Sequence, residues 1–317
     1  MMRPEYADVL RAADTIRPYV KTTPVLTSRY FDERCGAELF FKCENFQKMG
    51  AFKFRGACNA LFGSDPETLR GGVVTHSSGN HGQALALAAR MRGVPAHVVM
   101  PDNASAVKVE AVRGYGAQVH FCAPTQAARE AAAERIMADT GAVLVHPYND
   151  ARIIAGQGTA ALELMTEVPE LDVLLAPVGG GGLMSGTALA GHGGQRRLRV
   201  IGAEPAGADD AFRSLAAGRI VPVDQPETVA DGLRATLGPL PFAILREHLE
   251  RIITVDDAAI IDAMRLVWER MKIVIEPSSA VPLAAILAQP EIFAGQRVGI
   301  IVTGGNVDLT RLPWQAK

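Results

Sequence analysis

From residue 72 onward, short apolar runs alternate with longer amphipathic ones, and this rhythm restricts the possible folds more than any other feature of the chain. "GVVTH" reads as a buried strand, "GQALALAARMRG" as a helix that stops at glycine, and "VPAHVVMP" as the next strand. The pattern continues through "SAVKVEAVRGYG", "AQVHFCA", "TQAAREAAAERIMADTG" and "AVLVHP", and then through "GQGTAALELMTEV", "LDVLLAPV", "GLMSGTALAGHG" and "LRVIGAEP". Repeated strand-helix-strand crossovers predict a parallel sheet with helices on both faces. The stretch after Glu204, rich in Pro, Gly and Asp, breaks the rhythm and predicts loops near a site. "RIITVDDAAIIDAMRLVWERMK", with an Asp cap, then "SSAVPLAAILA" and "RVGIIVTGGNVDL" close the chain with further strands and helices.

The 317 residues exceed a typical domain of roughly 150, so two domains or one large unit are expected. Hydrophobic residues make up 48% and the net charge is −2, which gives no electrostatic reason to expect nucleic acid. The charged N-terminus lacks a secretory core and no segment reaches the ~18 apolar residues of a membrane helix, so a cytoplasmic protein is expected. Cys35, Cys43, Cys58 and Cys122 are widely spaced and read as small buried apolar residues.

In open α/β sheets, ligands sit beyond the carboxyl ends of the strands, so the residues after each strand carry the chemistry. Gly179, Gly180, Gly181 and Gly182 follow "VLLAPV" and open a helix, leaving backbone N–H groups bare for a phosphate. The run is neither a Walker loop nor G-x-G-x-x-G, although Glu204 ends the next strand where a ribose-binding acid would sit, which keeps a nicotinamide enzyme open as an alternative. Ser77, Ser78, Gly79, Asn80 and His81 follow another strand and open another helix. They offer donors to a carboxylate, or alternatively a plain helix cap. Thr303 ends the last strand before two glycines. Lys53, one of only seven lysines, lies in the apolar stretch "GAFKFRGA", where desolvation would lower its pKa and expose a nucleophilic amine. A phosphate cradle, a carboxylate cradle and an amine nucleophile together meet the needs of pyridoxal phosphate acting on an amino acid.

In order and approximate spacing, "GAFKFRGA", "SSGNHGQA", "IAGQGT", "PVGGGGL", "EPAGADD" and "TGGNVDL" resemble the motifs of fold-type II pyridoxal phosphate enzymes, in the serine/threonine dehydratase and serine racemase branch. The resemblance spans nearly the whole chain. It implies an α/β fold of two open twisted, mainly parallel sheets with flanking helices, a large cofactor-binding domain from residues 1–71 and 150–317, and a small substrate domain from 72–149. It implies that Lys53 carries the cofactor, that Phe52 packs on its ring, and that Asn80 bonds its phenolic oxygen. Gly179, Gly180, Gly181, Gly182 and Leu183 would hold the phosphate.

The resemblance further implies that Thr303 faces the ring nitrogen, where a hydroxyl need not protonate it, and that the substrate docks on residues 77–81. Ser78 would stand across from Lys53 as a second acid/base, which permits racemisation, and Arg129 would approach the far end of the substrate. Glu204, Asp210 and the carbonyl of Ala208 match a divalent-metal site suited to Mg²⁺, Mn²⁺ or Ca²⁺; for "EPAGADD" a plain Asp helix cap is the alternative. Ala51, where a serine often stands, and "HPYND" resemble bacterial and fungal hydroxyaspartate dehydratases and point away from strict serine or threonine specificity. The expected protein is therefore a homodimeric lyase converting serine, threonine or 3-hydroxyaspartate to a 2-oxo acid and ammonia, with amino acid racemisation as the alternative. At 317 residues there is no room for the regulatory domain of biosynthetic threonine deaminases, so no isoleucine feedback is expected.

Overall fold

The computed structural model describes residues 3–77, 79–104, 106–194 and 196–315. Ten strands among them form two sheets. β1 (Val25–Thr27), β2 (Glu38–Cys43), β7 (Val173–Pro177), β8 (Arg199–Pro205), β9 (Arg251–Val255) and β10 (Arg297–Val302) make a six-stranded sheet in the order β1-β2-β10-β7-β8-β9. Only β1 runs antiparallel, against β2. β3 (Val73–Thr75), β4 (Ala96–Pro101), β5 (Gln118–Cys122) and β6 (Val143–Leu144) make a fully parallel sheet in the order β5-β4-β3-β6.

The helices are α1 (Tyr6–Ile16), α2 (Arg29–Cys35), α3 (Lys53–Phe62), α4 (Asn80–Arg92), α5 (Ala106–Gly114), α6 (Gln126–Thr140), α7 (Ala151–Glu167), α8 (Gly182–Gly193), α9 (Asp210–Ala217), α10 (Pro239–His248), α11 (Asp257–Met271) and α12 (Pro277–Ala288). The Asp256 side chain caps α11 through the N–H of Ala259, as its sequence position predicts. None of the helices among the described residues is long and apolar enough to cross a membrane.

The inner strands β3, β4, β7, β8 and β10 are buried on both faces, which explains why they read as near-continuous apolar runs. In the larger sheet, Val173 and Leu175 of β7 and Val298, Ile300 and Val302 of β10 pack with Ile260 and Val267 of α11 and Ile286 of α12. Their neighbours Leu174, Ala176 and Ile301 face the opposite way, toward Ile154 and Leu164 of α7 and Met184 of α8. In the smaller sheet, Val73, Val98 and Met100 pack with α3 and α4, whereas Val74 and Val99 meet Ala132, Ala133 and Ile136 of α6. Period-two alternation thus serves two cores per sheet.

Helix α7 touches both α3 and α8 through glycines. A Cβ on Gly156 would lie 2.6 Å from the Cα of Gly56, and one on Gly158 would lie 2.7 Å from the carbonyl oxygen of Gly186. Side chains at these crossings would push the helices apart. "IAGQGT" therefore describes a packing surface that brings the start of α3 against the frame of the larger sheet.

That start is also fixed by charge. Arg55 is fully buried and forks onto two carboxylates: its Nε and Nη2 donate to Glu44 at 2.7 and 2.8 Å, and its Nη1 and Nη2 donate to Glu163 at 2.7 Å each. Lys42, also sealed, pairs with Glu163 at 2.8 Å and donates to the carbonyl of Thr23. Two cations and two carboxylates balance. Burial would raise the Glu163 carboxyl, but the hydrogen bonds and charges of Arg55 and Lys42 hold it below the ordinary value. Removing one member leaves an uncompensated buried charge, which costs far more than an exposed pair is worth. Glu44→Ala is therefore expected to destabilise the fold by about 3–5 kcal/mol, measured by urea unfolding. A loss below about 1 kcal/mol would show that solvent reaches Arg55.

Candidate active site

Lys53 is the first residue of α3. Its ammonium donates to the carbonyl of Pro147 at 2.9 Å and lies 5.2 Å from the centre of the Phe52 ring. Burial lowers its pKa to about 8, partly opposed by the charge of Glu276. The loop leading to α3 is tied to the last strand: Phe52 N–H donates to the Thr303 carbonyl at 2.9 Å, and Ala51 bridges Gly304.

Two imidazoles, His81 and His146, feel the charge of this amine, and a third, His76, lies against His146. The buried His81 binds the carbonyl of Val145 through Nε2 at 3.1 Å, which makes Nε2 the donor and leaves Nδ1 bare, with no partner among the described residues. His146 Nδ1 accepts from the N–H groups of Tyr148 and Asn149 at 3.3 and 2.9 Å, and so carries no proton there. His76 lies edge-on to His146, with ring centres 5.3 Å apart. Burial depresses all three, and Lys53 adds to the effect on His81 and on His146, which falls to about 4.

Between β7 and α8, the carbonyls of Gly180 and Gly181 accept from Gly238 and Ser185. Among the described residues, the N–H groups of Gly179, Gly180, Gly181, Gly182 and Leu183 meet no acceptor. Gly181 adopts φ +88°, and a Cβ on Gly180 would lie 2.4 Å from the Tyr148 ring. A row of unspent donors at a helix N-terminus, on backbone that accommodates no side chain, fits a bound phosphate.

Asn80 begins α4 behind Gly79, which makes no side-chain cap. Its Nδ2 donates to both oxygens of Glu276, at 3.0 and 3.1 Å, and its Oδ1 accepts from Asn306 at 2.9 Å. Glu276 is buried and burial raises its pKa to about 7, against the lowering effect of Asn80. Thr303 shares a 2.8 Å hydrogen bond with Ser279, and Ser279 also receives the Gly304 N–H at 2.8 Å.

The structure thus gathers Phe52, Lys53, Asn80, His81 and Thr303 through shared partners. Ser78 lies outside the described residues, and Ser77 and Gly79 flank it. Glu276 and Ser279 were not singled out from sequence, and His146 and Tyr148 were noted only as part of "HPYND". "IEPSSA" held one usable signal, a carboxylate directly before a Pro-initiated helix, but nothing in it names Asn80 as the partner.

Arg129 stands in the first turn of α6 with its Nε buried and without a partner among the described residues. Its charge, with that of Glu130, bears on His76. Glu204 lies near the end of β8 and Asp210 at the start of α9. Glu204 accepts from the N–H groups of Ala211 and Phe212 at 3.0 and 2.8 Å, and so closes the open N-terminus of α9, while Asp210 accepts from Leu237 at 2.7 Å. Burial raises them to about 8 and about 6, with Asp210 adding to the rise of Glu204. No group of three His, Cys, Asp or Glu side chains gathers among the described residues, so a metal here would draw on two carboxylates, the Ala208 carbonyl and water.

A protein family described as "Pyridoxal-phosphate dependent enzyme" matches residues 16–304. The chain belongs to this family. It is 53% identical to the beta-hydroxyaspartate dehydratase of Paracoccus denitrificans over 99% of this chain and 100% of that one. It is 46% identical to the L-threo-3-hydroxyaspartate ammonia-lyase of Saccharomyces cerevisiae, covering 98% and 96% of the two chains. The solved structure of maize serine racemase superposes with a TM-score of 0.95 at 47% identity, covering 98% of this chain and 95% of that one. Two mainly parallel sheets with flanking helices are the fold-type II architecture that the motifs imply, and pyridoxal phosphate replaces the nicotinamide alternative as the cofactor.

Proposed function

We propose that this pyridoxal-phosphate enzyme is a β-hydroxy amino acid ammonia-lyase that prefers 3-hydroxyaspartate and converts it to a 2-oxo acid and ammonia. The observation that carries the substrate preference is the Arg129 guanidinium. Its Nε is sealed without an acceptor among the described residues, and its charge bears on His76, the residue just before Ser77. A second substrate carboxylate would meet that donor. Identity to the two hydroxyaspartate enzymes supports the same reading.

Pyridoxal phosphate supplies a carbonyl carbon that takes up amines and an electron-poor ring that stabilises charge at the substrate Cα. The chain's own residues do the rest. Gly179, Gly180, Gly181, Gly182 and Leu183 hold the phosphate through N–H groups. Phe52 walls the ring, and Asn80 offers it an amide whose orientation Glu276 and Asn306 fix. Thr303, held by Ser279, presents a hydroxyl to the ring nitrogen. Residues 77–81 seat the α-carboxylate. Lys53, with its pKa near 8, is neutral often enough at physiological pH to take the proton from Cα and is still able to return it. The neutral imidazoles of His81 and His146 keep further positive charge away from the amine.

Glu204, Asp210 and the Ala208 carbonyl form a divalent-cation site in this reading, supported by two buried carboxylates that have no ion-pair partner among the described residues. Racemisation is the second reading, favoured by the close match to maize serine racemase; Ser78 would return the proton from the opposite face.

Borohydride reduction of the holoenzyme followed by peptide mapping is expected to leave a pyridoxyl group on Lys53, and a label on any other lysine overturns the cofactor assignment. Arg129→Ala is expected to lower kcat/KM for 3-hydroxyaspartate by roughly ten- to a hundredfold, the worth of a charge-assisted hydrogen bond, and for serine by much less. Equal losses on both would remove Arg129 from substrate choice. Scoring the same reactions for the opposite enantiomer separates elimination from racemisation. Removing divalent cations with a chelator is expected to lower Tm by at least about 2 °C; unchanged Tm and activity would refute the cation site.

A further inference from the structure

The turn after the last strand is packed so tightly that the place of each hydroxyl hydrogen follows from its partners. Ser279, in the first turn of α12, and Thr303, directly after β10, are only 2% and 3% exposed. Three atoms lie within hydrogen-bond distance of Ser279 Oγ: the Gly304 nitrogen at 2.8 Å, the Gly304 carbonyl oxygen at 2.7 Å and Thr303 Oγ1 at 2.8 Å. Ser279 is the one partner of Thr303 Oγ1 among the described residues.

A serine hydroxyl has one hydrogen to give and two lone pairs with which to accept. The Gly304 carbonyl only accepts, so it takes the Ser279 hydrogen, and its other lone pair takes the N–H of Glu276 at 3.0 Å. The Gly304 N–H only donates, and it fills one lone pair of Ser279. One lone pair is left, and Thr303 reaches it by giving up its own hydrogen. The reverse order, with Ser279 donating to Thr303, would leave two oxygens 2.7 Å apart with no hydrogen between them, a repulsive contact where no water enters.

We propose that Ser279 is a positioning residue that holds the Thr303 hydroxyl as a pure acceptor toward the cofactor, so that the ring nitrogen facing Thr303 carries a proton. The inference rests on the cofactor reading above, in which Thr303 faces that nitrogen. A threonine free of Ser279 donates to a bare nitrogen, whereas one whose hydrogen is spent offers only lone pairs and needs a donor opposite. The nitrogen takes its proton from water as the cofactor seats, and no other bond changes. Glu276 favours the same outcome. It is buried, its carboxylate is met by the neutral amide of Asn80, and one of its oxygens lies 3.0 Å from where a Cβ on Gly304 would stand. A buried carboxylate beside this turn stabilises a positive charge nearby. A protonated ring draws electrons more strongly than a neutral one, so charge at the substrate Cα lasts longer and return of a proton to Cα gains on loss of the β-hydroxyl. Ser279 thereby bears on the balance between racemisation and elimination.

The test loads the enzyme with pyridoxal phosphate labelled at the ring nitrogen and reads that nitrogen by NMR at neutral pH. The expected result is a pyridinium shift in the wild-type holoenzyme and a neutral-pyridine shift in Ser279→Ala, where the Thr303 hydrogen is released to the nitrogen. With L-alanine, which has no β-leaving group, Ser279→Ala is expected to slow exchange of the Cα hydrogen into heavy water roughly tenfold, the worth of a hydrogen bond to a charged group. A neutral nitrogen in the wild-type holoenzyme overturns the proposal whether or not the variant folds, and so does a pyridinium signal unchanged in a folded Ser279→Ala. Thr303→Val tells the two layers apart. A wild-type nitrogen signal that Thr303→Val leaves unmoved removes Thr303 from the ring nitrogen and takes the proposal with it, whereas a neutral signal that Thr303→Val does move removes the proposal alone.

Discussion

The buried guanidinium of Arg55 is the constraint on which the site depends. A cation with no access to water must be met by carboxylates in good geometry, and Glu44 and Glu163 meet it from β2's end and from α7. This locks the first turn of α3, two residues from Lys53, onto the frame of the larger sheet. The contact between Gly56 and Gly156 then sets how closely α3 lies on α7. Lys53 inherits its position from both, since the helix that presents its amine cannot slide without breaking a balanced charge cluster or opening a backbone contact.

Around that fixed amine the electrostatics follow from burial. Lys53 is lowered and Glu276 raised toward the same neutral range, and the imidazoles of His81 and His146 are pushed down by desolvation, with the charges of Lys53 and His76 adding to the effect. Each polar tip has a backbone partner that selects its tautomer or orientation. Val145 and Pro147, two residues apart, accept from His81 and Lys53, so a single short segment after β6 holds two site side chains in register. A site whose charges are suppressed in this way suits proton transfer at neutral pH, because small changes in charge move its groups across their titration ranges.

Local chemistry was legible in the sequence wherever it is carried by neighbours in the chain. Four consecutive glycines between an apolar strand and a helix disclose unspent N–H groups, and the structure leaves those groups without acceptors among the described residues. For the alternative reading of residues 77–81 as a plain helix cap, the residue directly before α4 is Gly79, which provides no side-chain cap, and Ser78 lies outside the described residues. For "EPAGADD", the cap at the start of α9 is real but is supplied by Glu204 from the preceding strand rather than by an adjacent Asp. Glu276 and His76 escaped notice because a lone Glu or His in an apolar context is ordinary, and only its neighbours make it a site residue.

By itself the sequence determined the strand-helix alternation, the two-faced burial of the strands, the glycine turn and the solitary lysine in apolar company, because each depends on residues a few positions apart. Only the tertiary structure decided what these meet. Lys53 finds Pro147 across 94 residues and Asn80 finds Glu276 across 196. Spacing along a chain carries no record of such pairings; they arise when close-packed helices and sheets exclude water and leave each buried polar atom to find a partner.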